Sequence, residues 1–492
     1  MHEADSSRDS DCSPRVISHS PKKSKALTWL TPLSQFAERY LDLSIHPATY
    51  SGPNPSTSNL PITSLLPLGA INEPIILFQG DALIHLSNGS TYNCNGCIKW
   101  RWDPQTGTFF EASIHGFFNY TGEEDLELEV PVLGIRVRGH LINLNEQFGK
   151  GKPPTAELRV LLEIQPFGDL STKLTKAVFH LVNFPDYYGS PIVVPEEQGR
   201  GMWMGRVVLK SNKWEVILDS TKNQRKLWKK AANQRGNCIT HVGEISRVDG
   251  RAFTPEEASE VIECLHYFFS FVRGDWSPPI VWFGVDQSDR MVYQDWSSPI
   301  SSPCHSLRSW FDDDSAPDLT SAFSGMMEKW TDPQWRKLLA TAIHIYIEAN
   351  TSGTPETSII LSQAAWELLA WVYLVEIKEI WGVRTFEDHS AAERLRQLLG
   401  CAKIPVAIPP TFKNLATHFA SASIDGPDCV TQIRNGVVHP SIRQKALGIP
   451  AMVRYEAANL SLTYVELNIL FLLGYTGLYQ DRCSHDPVQV PW

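Results

Sequence analysis

Near the end of this 492-residue chain, Arg434, Asn435 and His439 stand together in the hexapeptide RNGVVH. An imidazole can act as a general acid or base near neutral pH, and a guanidinium with a carboxamide beside it can hold an anion. The apolar stripe Val430, Ile433 and Val437 predicts a short helix over 427–438. Pro440 follows His439 and drives it out of the α conformation, so the helix ends near Val438. On an unbroken helix, residues five apart do not share a face. Unwinding at His439 lets its ring turn back toward Arg434. An Arg and a His at this spacing are expected by chance roughly 0.7 times in such a composition, and an Asn after the Arg lowers that to roughly 0.03. The bland alternative is a histidine that merely caps the helix, beside an Arg in an ordinary ion pair.

Three other groups of residues carry chemical potential. Glu367 interrupts the apolar run AAWELLAW, and a carboxylate there calls for a partner, for which Arg434 is the natural choice. Glu348 and Asn350 follow another apolar run, where a helix terminus explains them equally well. The stretch Thr221–Arg235 holds six cations and no acid, with Trp228 among Lys222, Arg225, Lys226, Lys229 and Lys230. That pattern suits backbone contacts and base stacking on RNA, although a solvated face explains such runs more often. Cys94 and Cys97 form a C-x2-C that lacks two further ligands, so Asn95-Gly96 reads as a hairpin turn and no metal is expected. Asp312–Asp314 reads as solvated linker, and no cofactor motif is present.

The elements that must position these groups change character along the chain. Residues 1–25 are polar and read as a disordered tail. Short strand-like runs separated by turn signals such as Asn88-Gly89 predict a β-rich domain over 26–220, an antiparallel sandwich or barrel. A mixed α/β region is expected over 221–315, with a helix opened by a capping box at Thr254–Glu257 and closed at Gly274. From 316 to 492 the punctuation is helical: Asp332-Pro333, Thr354-Pro355 and Ser390–Glu393 open helices, and further ones are expected at 410–421, 427–438 and 450–479. The fold class is thus multidomain α+β with an all-α C-terminal bundle.

A net charge of -10 argues against a constitutive nucleic-acid binder, so RNA contact must come from local patches. Nothing resembles a secretory signal or a membrane span, and the odd, scattered cysteines read as reduced thiols, which together imply a cytoplasmic address. The RNGVVH segment within a helical domain, roughly Trp330 to Tyr479, resembles the HEPN superfamily. The order of domains is similar to that of ApeA-type anti-phage defence proteins. The resemblance implies a metal-independent endoribonuclease toxin or effector in defence or stress response, with His439 as general acid or base, Arg434 stabilising the transition state, and Asn435 orienting the His or the phosphate; Glu367, on its own reading, would fix the Arg434 guanidinium. It also implies RNA as substrate, a homodimer with two facing segments, no cofactor, and an N-terminal region that senses an unidentified trigger or restrains the nuclease. The alternative is an inactive family member that binds RNA or regulates.

Overall fold

The structure, a computed structural model, describes residues 59–492 apart from 104, 121, 123–124, 149–152, 165, 197–198, 312–315, 423, 440–447, 483 and 485. The polar tail over 1–25 and the Asp312–Asp314 run therefore lie outside the described residues. The chain is α+β, with its β-rich part first and its helical part last. β1 (Ile75–Leu86), β2 (Thr91–Arg101), β3 (Gly107–His115), β4 (Asp125–Val130), β5 (Ile135–Gln147) and β6 (Thr155–Leu162) close an antiparallel barrel in the order β1-β2-β3-β6-β5-β4. Strict alternation drives it: Leu126, Leu128 and Val130 of β4 are buried, and the residues between them are not.

An eight-stranded sheet follows, built from β7 (Phe167–Gly168), β8 (Lys176–Val182), β9 (Ser190–Glu196), β10 (Gly199–Lys210), β11 (Trp214–Ser220), β12 (Ile239–Arg247), β13 (Pro279–Val285) and β14 (Met291–Asp295). Its order is β7-β14-β13-β8-β12-β11-β10-β9. The strands expected in one domain ending at 220 thus divide between two sheets, and the second sheet takes in strands from the expected middle region as well. Long-range pairing of β8 with β12 and β13 decides this, and no local signal announces it. Helix α1 (Gln224–Gln234) joins β11 to β12, and α2 (Pro255–Arg273) joins β12 to β13. The capping box at Thr254 and Glu257 and the left-handed Gly274 at the other end bound α2 as expected.

The sheet is apolar on both faces. Val182, Ile239, Ile280 and Phe283 complete the core of the barrel. Leu181, Val216, Leu218 and Ile245 face the other way, into a core shared with α2 and the C-terminal helices. Those helices are α3 (Ala316–Trp330), α4 (Pro333–Asn350), α5 (Pro355–Trp371, continued by a π-helical turn over Val372–Ile377), α6 (Val383–Asp388), α7 (Ala391–Cys401), α8 (Lys413–Phe419), α9 (Gly426–Val438) and α10 (Ala451–Leu472). A small hairpin of β15 (Leu478–Gln480) and β16 (Pro487–Gln489) ends the chain. Pro355–Ile377 is long and apolar enough to cross a membrane by length and composition, and half of its most apolar window is buried inside the fold. α10 ends sooner than its apolar run, because the backbone turns left-handed at Gly474. Leu467, Ile469, Leu470, Leu472 and Leu473 are all buried within this one chain. Phe471 is half-buried and Leu478 is exposed.

Two central strands each bury a histidine completely. His180 of β8 contacts the Val281 carbonyl and the Ser64 hydroxyl, and burial pushes its pKa down to about 4. His241 of β12 stacks on Tyr187, and burial pushes it down to about 3. Both rings are neutral in the fold and take up protons on unfolding. Their stabilisation is complete above the unfolded pKa of about 6.5 and is lost as pH falls from there through the folded values. Thermal melts between pH 7 and pH 4 should show a fall on the order of a few kcal/mol. The His241→Gln variant should melt lower at pH 7 but decline less steeply with acid. A parallel decline would place the titration on other groups.

Candidate functional site

The RNGVVH residues sit at one end of α9. The other end of that helix is clamped: Asp425 caps it through the Asp428 N–H, and Arg396 of α7 reaches Asp425 in a two-pronged pair and Asp428 as well. Arg396 holds the Asp425 carboxyl below the usual range despite burial, while burial and the neighbouring Asp425 push Asp428 up. Val430 and Ile433 anchor the buried face. The expected unwinding occurs. His439 is extended (φ -104°, ψ 111°), and its N–H still donates to the Asn435 carbonyl at 3.0 Å.

Arg434 and Asn435 are half-buried and His439 is exposed. An Arg434 Nη1 hydrogen donates to Asn435 Oδ1 at 3.1 Å, whereas Nε is buried with no partner. No carboxylate among the described residues pairs with Arg434, and no hydrogen bond joins it to the His439 ring. The ordinary ion pair of the bland alternative is thus absent among the described residues. Among the described residues, the end of α9 carries the Arg434 guanidinium and a solvent-facing His439.

The expected Arg434–Glu367 pair does not form. Glu367 is 34% exposed at its side chain and faces Arg394 of α7 at 4.0 Å, while Gln363 donates to its other oxygen at 2.6 Å. α5 packs against both α7 and α9, and its Glu367 meets the Arg of α7, the one sequence reading missed. Asn350 belongs elsewhere too. Its amide donates to the carbonyls of Gly274 and Arg308, which makes it a structural tie at the end of α4.

The basic run forms α1. Its Arg225, Trp228 and Lys229 line a cavity against the segment over 305–311, whereas Lys226 and Lys230 are exposed and outside that lining. Lys222 precedes the helix and is exposed. Cys94 and Cys97 stand inside β2, where Asn95 and Gly96 pair with Asp81 and Gly80, so the expected hairpin turn is not there. Packing explains the glycine: a Cβ at Gly96 would lie 2.2 Å from the Phe110 ring. Among the described residues no cluster of three or more His, Cys, Asp or Glu is placed to hold a metal ion.

Residues 169–307 match the YopA central domain, and residues 332–490 match the YopA C-terminal domain. The chain is also similar to the SPbeta prophage-derived uncharacterized protein YopA of Bacillus subtilis (strain 168). The two are 28% identical over 435 residues, which cover 86% of this chain and 96% of that protein. No solved structure matches. The first match spans nearly all of the eight-stranded sheet with α1 and α2, and the second spans α4 to β16. The barrel lies outside both, and α3 bridges them.

One buried acid that sequence reading passed over is Glu466 of α10, 1% exposed at its side chain and paired with Arg482 at 2.7 Å. Removing one partner of such a pair leaves an uncompensated charge, so Glu466→Ala should cost roughly 3–5 kcal/mol. Glu367→Ala should cost roughly 0–1 kcal/mol, as half-exposed pairs do. Denaturant melts of the full chain separate the two. A large loss for Glu367→Ala would mean that it is a buried anchor after all.

Proposed function

We propose that the protein is a metal-independent endoribonuclease whose site is Arg434, Asn435 and His439, with a HEPN-like helical bundle as its scaffold. The observation that carries this reading is the guanidinium of Arg434, without an acid partner among the described residues, on a helix that unwinds at the exposed His439. A structural arginine at a helix end would be expected to hold a carboxylate. Asn435 instead takes one Nη donor and orients the guanidinium, leaving cationic charge for a phosphate. The 2′-hydroxyl of the substrate attacks the adjacent phosphorus, its proton passes to a base, and the 5′-oxygen leaves with a proton from an acid. His439 serves one of these two proton transfers, and Arg434 stabilises the charge that develops on the phosphorane oxygens. Because one His per segment supplies one proton carrier, a second copy facing the first completes the acid–base pair. A homodimer therefore fits the chemistry.

The setting we propose is cytoplasmic. The Bacillus subtilis relative is described as prophage-derived. A role in conflict between phage and host fits an RNA-cleaving effector, and the β-rich part would sense the trigger or restrain cleavage.

The purified chain should cut RNA in the presence of chelator, leaving a 2′,3′-cyclic phosphate and a 5′-hydroxyl, and should leave DNA intact. His439→Ala should lose about 10²–10⁴-fold in rate, and Arg434→Ala a comparable amount. Both variants should melt within a few degrees of the wild type. RNA that is bound but never cut would make the protein an inactive, RNA-binding member. Undiminished cleavage by His439→Ala would move the chemistry elsewhere. Light scattering at micromolar concentration tests the composite site separately: a monomer that still cleaves would sink it.

A further inference from the structure

Arg273, the last residue of α2, presents a problem of charge. It is 5% exposed, and a guanidinium stays protonated even where burial lowers its pKa. Its Nη atoms donate to the carbonyls of Trp276, Ser302 and Pro303. Its Nε is buried with no partner, and the nearest carboxylate, Asp275, stands 3.8 Å away and is shared with His305 at 3.5 Å. Carbonyls supply dipoles, and the buried Asp275 carboxylate is the counter-charge within 4 Å among the described residues.

Arg273 lines a cavity of about 610 Å³ whose other walls are also cationic. Arg225 and Lys229, one turn apart on α1, and Arg308 are in the lining. One acid, Asp186, is in the lining, and Arg225 holds it at 3.1 Å. Lys229 is exposed and forms no ion pair among the described residues. Trp228, Leu307 and Phe311 add an apolar wall next to the cations. The volume is in the range of pockets for molecules far larger than a bare inorganic anion. An arrangement of a cationic floor with an indole beside it suits a ligand with phosphates at one end and a planar ring at the other.

We propose that this cavity is a binding site for a nucleoside phosphate, with Arg225, Lys229, Arg273 and Arg308 facing its phosphates and Trp228 its base. The site draws on both matched regions. α1 and Arg273 come from the one similar to the YopA central domain, and Gln480 from the one similar to the YopA C-terminal domain. A bound nucleotide thus touches α1, the end of α2 and the C-terminal hairpin. The inference is independent of the ribonuclease reading, since none of these residues lies on α9.

The test is calorimetric titration of the full chain with AMP, ADP and ATP, with pyrophosphate and a ten-nucleotide RNA as comparators. One of the mononucleotides should bind saturably at one per chain, more tightly than pyrophosphate. Lys229→Glu should weaken it about tenfold or more, the usual scale for loss of a charge-assisted contact, while Lys229→Arg keeps it. Trp228→Ala should bring the nucleotide toward the affinity of pyrophosphate. Lys229 is a surface residue, so thermal melts should confirm that both of its variants fold. His439→Ala should bind as the wild type does, which keeps this outcome separate from that of the cleavage assay. No saturable binding up to millimolar nucleotide would overturn the proposal. So would affinity unchanged in Lys229→Glu, or binding of the RNA with none of the mononucleotides.

Discussion

The helical half of the molecule is organised around one buried ion pair. Glu466 lies in the middle of α10, a helix buried on nearly every side, and Arg482 returns from beyond β15 to meet it. Arg482 Nε donates to Oε2 at 2.8 Å and Nη2 to Oε1 at 2.7 Å, so the pair is two-pronged, and the Tyr346 hydroxyl donates to the same carboxylate. Desolvating two charges is costly, and only such geometry with every remaining donor placed makes it tolerable. The same Nη2 also lies within hydrogen-bond distance of the Arg308 carbonyl and the Asn350 Oδ1, and Asn350 in turn holds Gly274. The end of α2, the end of α4 and the segment lining the cationic cavity therefore meet at one charge. A single apolar core running from the sheet into the bundle is the counterpart of that arrangement.

The eight-stranded sheet has a complementary role. Adjacent residues such as Leu181 and Val182 serve different cores, because successive side chains of a strand point to opposite faces. The barrel is further joined to the sheet through Trp100 and Thr108, whose side chains donate to the carbonyls of Ser297 and Trp296. A disturbance at the barrel consequently reaches the helices only through a layer packed on both sides. In the proposed reading, that is the physical requirement for a sensing or restraining N-terminal part.

What could be read from the sequence was local. Capping boxes at Thr254 and Ser390 and the Asp332-Pro333 and Thr354-Pro355 starts mark helices, because each satisfies its own orphan N–H groups within three residues. The unwinding at His439 was legible for the same reason. What failed was non-local. Asn95-Gly96 has the chemistry of a turn, but the Phe110 ring needs the space of a glycine in mid-strand. Glu367 needed a cation, and nothing in its neighbourhood of sequence says whether Arg394 or Arg434 stands across from it. α3 begins inside a stretch of Ser, Pro and Asp that looks like linker and is helical because Leu319, Phe323 and Met326 reach the core.

The acidic balance of the chain and its cationic sites are two sides of one constraint. With a net charge of -10, the long-range field repels a polyanion, so binding of RNA or nucleotide must rest on short-range clusters. α1 divides its charge accordingly: Arg225 and Lys229 share a face one turn apart and line the cavity, while Lys226 and Lys230 stay in solvent. At α9 the asymmetry runs along the helix instead. Its first turn carries Asp425 and Asp428, both held by Arg396, and its last carries Arg434 with no acid paired to it among the described residues. In the proposed reading, that second end is neutralised from outside, by a phosphate whose geometry matches a guanidinium held by a neighbouring carboxamide.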